Sequence, residues 1–194
     1  MLAAVILSGG ASSRMGSPKA LISYQGRPFL EHLLKVTQHP KISVRRVVLG
    51  VHAEPIARAI HLGADEIVIN PDWEKGPLSS LHAALNSLPP GLDGMVLFLI
   101  DHPLISITLV NELIVAFYAS QAPVALPIFE GRRGHPVIFS SRVFPELLIA
   151  PMDVGARAVV WAHRNEICEY PTNEEGCVLN LNDPETLERA TRTS

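Results

Sequence analysis

The 194-residue sequence predicts an α/β fold built around a mostly parallel sheet, and three observations carry that prediction. Short continuous runs rich in Val, Ile and Leu recur along the chain, which is the pattern of strands buried on both faces. Stretches of helical length separate them, and strand–helix–strand alternation implies parallel pairing with right-handed crossovers. Hydrophobic residues make up 47% and charged residues 18% of a chain whose length corresponds to about one domain.

In chain order, the first strand is read over Ala3 to Leu7, and a proline suited to a first turn opens a helix over Pro28 to Thr37. Strands at Val44 to Leu49, Glu66 to Ile69, Met95 to Ile100 and Val124 to Leu126 alternate with helices at Glu54 to Leu62, Leu78 to Leu88 and Ile107 to Ser120. Beyond about residue 130 the pattern loosens. Short extended runs at Pro136 to Phe139 and Glu166 to Tyr170, helices at Arg142 to Leu148 and Ala156 to His163, and a last helix from Pro184 read as additions to the sheet. With no repeat or linker, residues 1–194 read as a single domain.

Composition removes several classes of function. Thirteen glycines, 16 prolines and abundant apolar residues exclude a disordered tail, a collagen-like fibre and a coiled coil. A formal charge of -3 leaves no positive surplus for a nucleic-acid backbone, so no nucleic-acid partner is expected. No apolar run approaches the roughly 20 residues of a membrane span, and no membrane partner is expected. The apolar opening residues lack a basic flank and read as a strand rather than an export signal. Cys168 and Cys177 are the two thiols, too few for a disulfide framework, and they fit a reducing, cytoplasmic setting.

Ligands of open parallel sheets sit beyond the carboxyl ends of the strands, and the chemistry of this chain concentrates there. The loop from Gly9 to Lys19, leaving the first strand at Leu7 and Ser8, carries three glycines, three serines, Arg14 and Lys19. Its backbone N–H groups and two cations make a phosphate cradle. The bland alternative is a solvated turn, and the spacing matches neither G-x-G-x-x-G nor G-x-x-x-x-G-K-[ST]. Asp101 follows the most hydrophobic run and faces an open cleft or a hard cation such as magnesium, unless it caps the helix that begins near Ile107 or stabilises the turn at Pro103. Ser79 and Ser80 open a helix where hydroxyls meet a nucleotide or serve as caps. Arg133 and His135 stand in a glycine-bounded turn suited to an anionic second substrate or to a solvated hairpin, and Asn182 precedes the last helix as a metal ligand or a cap. The other histidines lack metal-ligand spacing.

The stretch Leu7 to Lys19 resembles the signature loop L-x-G-G-x-S-x-R-M-G-x-x-K of the MobA-like nucleotidyltransferases, which attach a nucleotide to molybdopterin. Four further segments follow in the family's order: Asn70 to Leu81, Asp101-His102-Pro103 in place of Asp-Gln-Pro, Gly134-His135-Pro136 with Asp153 to Arg157, and Asn180-Leu181-Asn182-Asp183-Pro184-Glu185.

The resemblance implies a three-layer, Rossmann-like nucleotidyltransferase fold with a mostly parallel central sheet, in which residues 1–128 bind the NTP and residues 129–194 bind the acceptor. It implies catalytic roles for Arg14, Lys19 and Asp101, nucleotide contacts from Leu7, Ser8, Gly9, Gly10, Ser79 and Ser80, acceptor contacts from Arg133, His135, Asp153 and Arg157, and Mg2+ on Asp101 and Asn182. The partners implied are an NTP, a phosphorylated pterin-type acceptor, and a molybdoenzyme or its chaperone. Gly134-His135-Pro136 and Gly155-Ala156-Arg157 resemble the cytidylyltransferase branch and favour CTP, whereas Gly9-Gly10 and Asn180-Leu181-Asn182 resemble the guanylyltransferase branch. Alternatives are a sugar-phosphate nucleotidyltransferase, a non-catalytic nucleotide-binding regulatory module, and a redox Rossmann enzyme. The last is disfavoured by the glycine spacing and by Glu31 standing where a strand-end acid would be needed.

Overall fold

The computed structural model describes residues 1–10 and 16–192. Strand β1 (Leu2–Ser8) is buried along its whole length and forms the spine of the main sheet. Parallel to it lie β4 (Ile42–Leu49) on one side and β6 (Gly94–Leu99) on the other, and β5 (Ile67–Ile69) pairs in parallel with β4 at the edge. A small separate hairpin, β2 (Ser23–Tyr24) with β3 (Arg27–Pro28), precedes helix α1 (Phe29–Val36). Pro28 is the residue capping α1 rather than part of its first turn, because its ψ of 146° is extended.

Successive residues of β1 point to opposite faces, and this alternation builds two cores. Leu2, Ala4 and Ile6 pack with Leu30 and Leu33 of α1, Ile56 of α2 (Ala53–Ala59) and Leu109 and Leu113 of α4 (Ile107–Ser120). Ala3, Val5 and Leu7 pack with Leu78, Leu81 and Leu85 of α3 (Pro77–Ser87), Leu147 of α5 (Phe144–Leu148) and Val159 of α6 (Arg157–Ala162). The result is helix, sheet, helix in three layers. It matches the fold read from the sequence.

The far half of the sheet differs from a simple parallel extension. β7 (Val124–Phe129) turns at Glu130 and Gly131, both with positive φ, into β8 (Arg132–Arg133), which pairs antiparallel to it. Two positive-φ residues between short strands are the requirement of a twist-matched two-residue hairpin. β9 (Val137–Ser140) then runs antiparallel between β6 and β7, and β10 (Cys168–Pro171) closes the edge parallel to β7, giving the order β10-β7-β9-β6-β1-β4-β5. The boundary expected at 128/129 therefore falls inside β7. A third, smaller core of Tyr24, Phe29, Leu181 and Ala190 fastens helix α7 (Pro184–Arg192) against the hairpin and α1. Among the described residues no helix is long and apolar enough to cross a membrane.

Candidate active site

Three strand ends and one returning segment meet at the carboxyl edge of the sheet. Because β1 and β6 are in register, with Leu7 opposite Leu99, the turns that follow them emerge side by side. The chain leaving β1 passes close to that leaving β4: a Cβ at Gly50 would lie 2.1 Å from the Gly9 carbonyl oxygen, and one at Gly9 would lie 2.7 Å from Ser80 Oγ. At Gly50, where the neighbour is backbone, only glycine allows the approach. A cleft of about 390 Å³ results, lined by Leu7, Ser8, Gly9, Gly10, Lys19, Trp73, Gly76, Pro77, Ser80, Leu99, Ile100, Asp101 and Asn182.

The polar end of this cleft is organised around Asp101. Its backbone carbonyl accepts from Leu181 N at 2.8 Å, and Asn180 Nδ2 donates to its Oδ2 at 3.1 Å. Leu181 is fully buried in the third core, while its neighbours Asn180 and Asn182 both reach the site, the one bonded to Asp101 and the other lining the cleft. Lys19 Nζ stands 3.7 Å from Asp101 Oδ2 and donates to Asn182 Oδ1. Asp101 does not cap the next helix, because Ser106 Oγ accepts from Leu109 N there.

Asp101 Oδ1 is buried and has no hydrogen-bond partner, and the same holds for Asn180 Oδ1. A bare carboxylate oxygen cut off from solvent is costly, and a hard cation is the partner that suits it. The donors present, one carboxylate and amide oxygens, fit Mg2+ or Mn2+ completed by phosphate oxygens. Among the described residues no group of three or more His, Cys, Asp or Glu is arranged to hold a metal unaided.

The two serines divide their labour. Ser79 Oγ accepts from Asn70 Nδ2 at 2.9 Å and lies 2.9 Å from the Asp72 carbonyl and 2.7 Å from that of Gly76, so this hydroxyl is spent inside the protein. Ser80 Oγ also accepts from Asn70 Nδ2, at 2.9 Å, and its residue borders the cleft.

A second cleft of about 560 Å³ adjoins the first and shares Leu7, Pro77 and Leu99 with it. Arg133, His135, Asp153 and Arg157 all line it, with Met152 and Trp161 at its lip. The Arg157 guanidinium lies 6.0 Å from the centre of the Trp161 ring. Arg133 is already engaged by Glu169, with Nε 2.8 Å from Oε1, which lowers its value as a bare anion clamp. The His135 ring, in the lining of the second cleft, sits 4.8 Å from that of His102. Burial pushes the His135 imidazole down to a pKa of about 3, with His102 adding to the fall and Asp101 opposing it. Burial likewise holds His102 below the usual imidazole range, against the pull of Asp101. The Cys177 thiol is pushed up to about 11, chiefly by burial, which fits a structural rather than a nucleophilic role.

The geometry thus brings together Leu7, Ser8, Gly9, Gly10, Lys19, Ser80, Asp101 and Asn182 in one cleft and the four expected acceptor residues in its neighbour. Arg14 lies outside the described residues. Sequence reasoning gives no role to Trp161, and none to Trp73 and Asn180 beyond their place in the segments Asn70 to Leu81 and Asn180 to Glu185. The alternation in Asn180-Leu181-Asn182 was a signal for Asn180, but its meaning depended on Leu181 being the buried member.

The chain is similar to several known proteins. A "Nicotine blue oxidoreductase" of Paenarthrobacter nicotinovorans is 29% identical over 165 residues, covering 79% of this chain and 78% of that protein. A "Molybdenum cofactor guanylyltransferase" of Vibrio atlanticus is 30% identical over 189 residues, covering 94% and 92%. The crystal structure of Rv0371c from Mycobacterium tuberculosis superposes with a TM-score of 0.85 at 27% identity over 100% of both chains, and its manganese complex with 0.80 at 24% over 100% and 99%. The MobA-like NTP transferase domain matches residues 4–167. A match over most of the chain, on a sheet whose carboxyl edge holds the expected residues, means that this chain belongs to the MobA-like NTP transferase family.

Proposed function

We propose that this chain transfers a nucleoside monophosphate from an NTP to the terminal phosphate of a phosphorylated, pterin-type acceptor, releasing pyrophosphate. The observation that carries the reading is the adjacency of the two clefts, one with Gly9, Gly10, Lys19 and Asp101, the other with Arg157 and Trp161. An acceptor phosphate oxygen entering from the second cleft attacks the α-phosphorus, and the bond to the oxygen bridging the β-phosphorus breaks. The N-terminal part supplies most of the nucleotide cleft and residues after 128 most of the acceptor cleft. The exchange of walls is real, however: Asn182 lines the first cleft, and Leu7 and Pro77 line the second.

Lys19 would hold phosphate oxygens and offset the negative charge that grows on the leaving group, Ser80 would orient the nucleoside, and the Gly9-Gly10 backbone would lie close against it. Asp101 and Asn182 would hold a divalent ion, which when bound supplies charge neutralisation across the phosphates. Mg2+, the ion the sequence resemblance implies, suits this oxygen-only donor set. GTP is favoured over the CTP suggested by Gly134-His135-Pro136, because the relative matched over nearly its whole length is named for guanylyl transfer.

Pyrophosphate release tests the reading. It is expected only when one NTP, the acceptor and Mg2+ are present together, and Asp101→Ala should reduce it by about two to three orders of magnitude, the scale of a lost transition-state contact. Thermal stabilisation by NTP with no pyrophosphate under any combination would instead identify a regulatory module. A second reading is favoured by the oxidoreductase relative: the nucleotide cleft would hold a dinucleotide hydride donor and the aromatic-lipped cleft an oxidised planar substrate. Loss of reduced-nicotinamide absorbance, without pyrophosphate, distinguishes it.

A further inference from the structure

The inference concerns the cation subsite and rests on the reading of the first cleft as the place of an NTP and its metal. In the nucleotide-free protein that subsite already holds a positive charge. Lys19 comes from the single turn Lys19–Leu21, stands 3.7 Å from Asp101 Oδ2, and donates to Asn182 Oδ1. These are the two side chains that would ligate the divalent ion. Both charged partners are largely enclosed, with side-chain exposures of 16% for Lys19 and 19% for Asp101, so their attraction is only partly screened. Asp101 also accepts from Asn180 at Oδ2, the oxygen nearest the ammonium, while Oδ1 is buried without a hydrogen-bond partner.

We propose that Lys19 is a resident cation: it occupies the Asp101–Asn182 subsite in the empty enzyme and is exchanged for the divalent ion when a triphosphate arrives and draws the ammonium to its own oxygens. Asn182 makes the exchange possible. Its amide oxygen accepts an ammonium N–H or a metal ion equally, and being neutral it leaves no unbalanced charge when one replaces the other. With Asp101 the one acidic side chain among the described residues lining the cleft, the subsite balances a single positive charge, so ammonium and metal compete for it. Metal and nucleotide then bind as a coupled pair, each raising the other's affinity by the same factor.

The test is Mn2+ binding followed by the electron paramagnetic resonance signal of the free ion, first without nucleotide. Lys19→Met should bind Mn2+ about tenfold more tightly than wild type, the order expected when a neighbouring unit charge in a partly screened site is removed. Lys19→Arg, which keeps the charge, should stay within about twofold of wild type, and Lys19→Met combined with Asp101→Asn should lose the gain. If Lys19→Met does not melt cooperatively, Lys19→Gln is held to the same criterion. A non-hydrolysable GTP analogue should then raise the Mn2+ affinity of wild type by a larger factor than that of the Lys19 variant. Equal or weaker Mn2+ binding by the uncharged variant overturns the resident-cation assignment. Failure of wild type to bind any NTP in the presence of Mn2+ overturns the exchange together with the nucleotide reading of the cleft, a result the nucleotide-free comparison keeps separate.

Discussion

At the scale of single residues, Ser79 and Ser80 show how neighbours with the same chemistry acquire different work. Both accept from Asn70 Nδ2, but Ser79 also meets two carbonyl oxygens, whereas Ser80 borders the cleft. Ser80→Ala should therefore weaken NTP binding by about 1 kcal/mol, roughly fivefold, with little change in melting temperature, since Asn70 keeps Ser79 as a partner. Ser79→Ala should do the reverse, costing about 1–2 kcal/mol of stability while leaving the cleft surface intact. Calorimetric titration and thermal melts on the two variants check both halves. His135 makes a different kind of contribution. Its Nδ1 is enclosed without a partner, and its folded pKa of about 3 lies below the ordinary 6.5. Between those values the unfolded chain binds a proton that the folded one refuses, so acid should erode stability from about pH 6.5 down to about pH 3 and extract nothing further from this group below that. Denaturant titrations across this window should show a shallower loss for His135→Gln than for wild type.

At the scale of elements, the strands were legible because burial on both faces writes itself as unbroken apolar runs, as in Ala3 to Leu7 and Met95 to Ile100. The place of β9 was not legible. Pro136 to Phe139 reads as a short extended run, but nothing local says that β9 inserts antiparallel between β6 and β7, since that depends on the hairpin at Glu130 and Gly131 reversing the chain. The site was legible where chemistry is dense, at Gly9, Gly10, Lys19 and Asp101, and illegible where position alone confers a role, at Trp73 and Asn180. Gly50 belongs to the second kind. It directly follows β4 and looks like an ordinary loop residue, yet a methyl group there would meet the Gly9 carbonyl oxygen at 2.1 Å and Trp73 Cβ at 2.9 Å. Backbone cannot swing aside as a flexible side chain can. Gly50→Ala should thus cost about 1–3 kcal/mol of stability and displace the loop after β1, so that NTP binding fails at temperatures where the variant is still folded. Equal NTP affinity in a stable Gly50→Ala protein would mean that the two strand ends need not touch to form the cleft.

At the scale of the whole molecule, the sheet sets two different surfaces against one reaction centre. Parallel strands β1, β4 and β6 deliver turns to a polar cleft, while the antiparallel insertion of β9 widens the sheet and opens an apolar-lipped cleft beside it. Leu7, Pro77 and Leu99 form the common wall, so neither cleft can be filled without bounding the other. The chain's two tryptophans fall one to each: Trp73 lines the first cleft, and Trp161, 52% exposed with Arg157 over its ring, stands at the mouth of the second. Intrinsic fluorescence can therefore separate the two binding events. In Trp161→Phe, where Trp73 alone emits, addition of NTP with a divalent ion should change the emission and addition of a planar acceptor should change it little. In Trp73→Phe the order should invert, because an aromatic acceptor stacked near Trp161 alters its surroundings while a nucleotide in the neighbouring cleft does not touch it. If NTP moves the emission of Trp161 as strongly as that of Trp73, the two clefts are one binding surface, and the division of labour between the parallel and antiparallel halves of the sheet is lost.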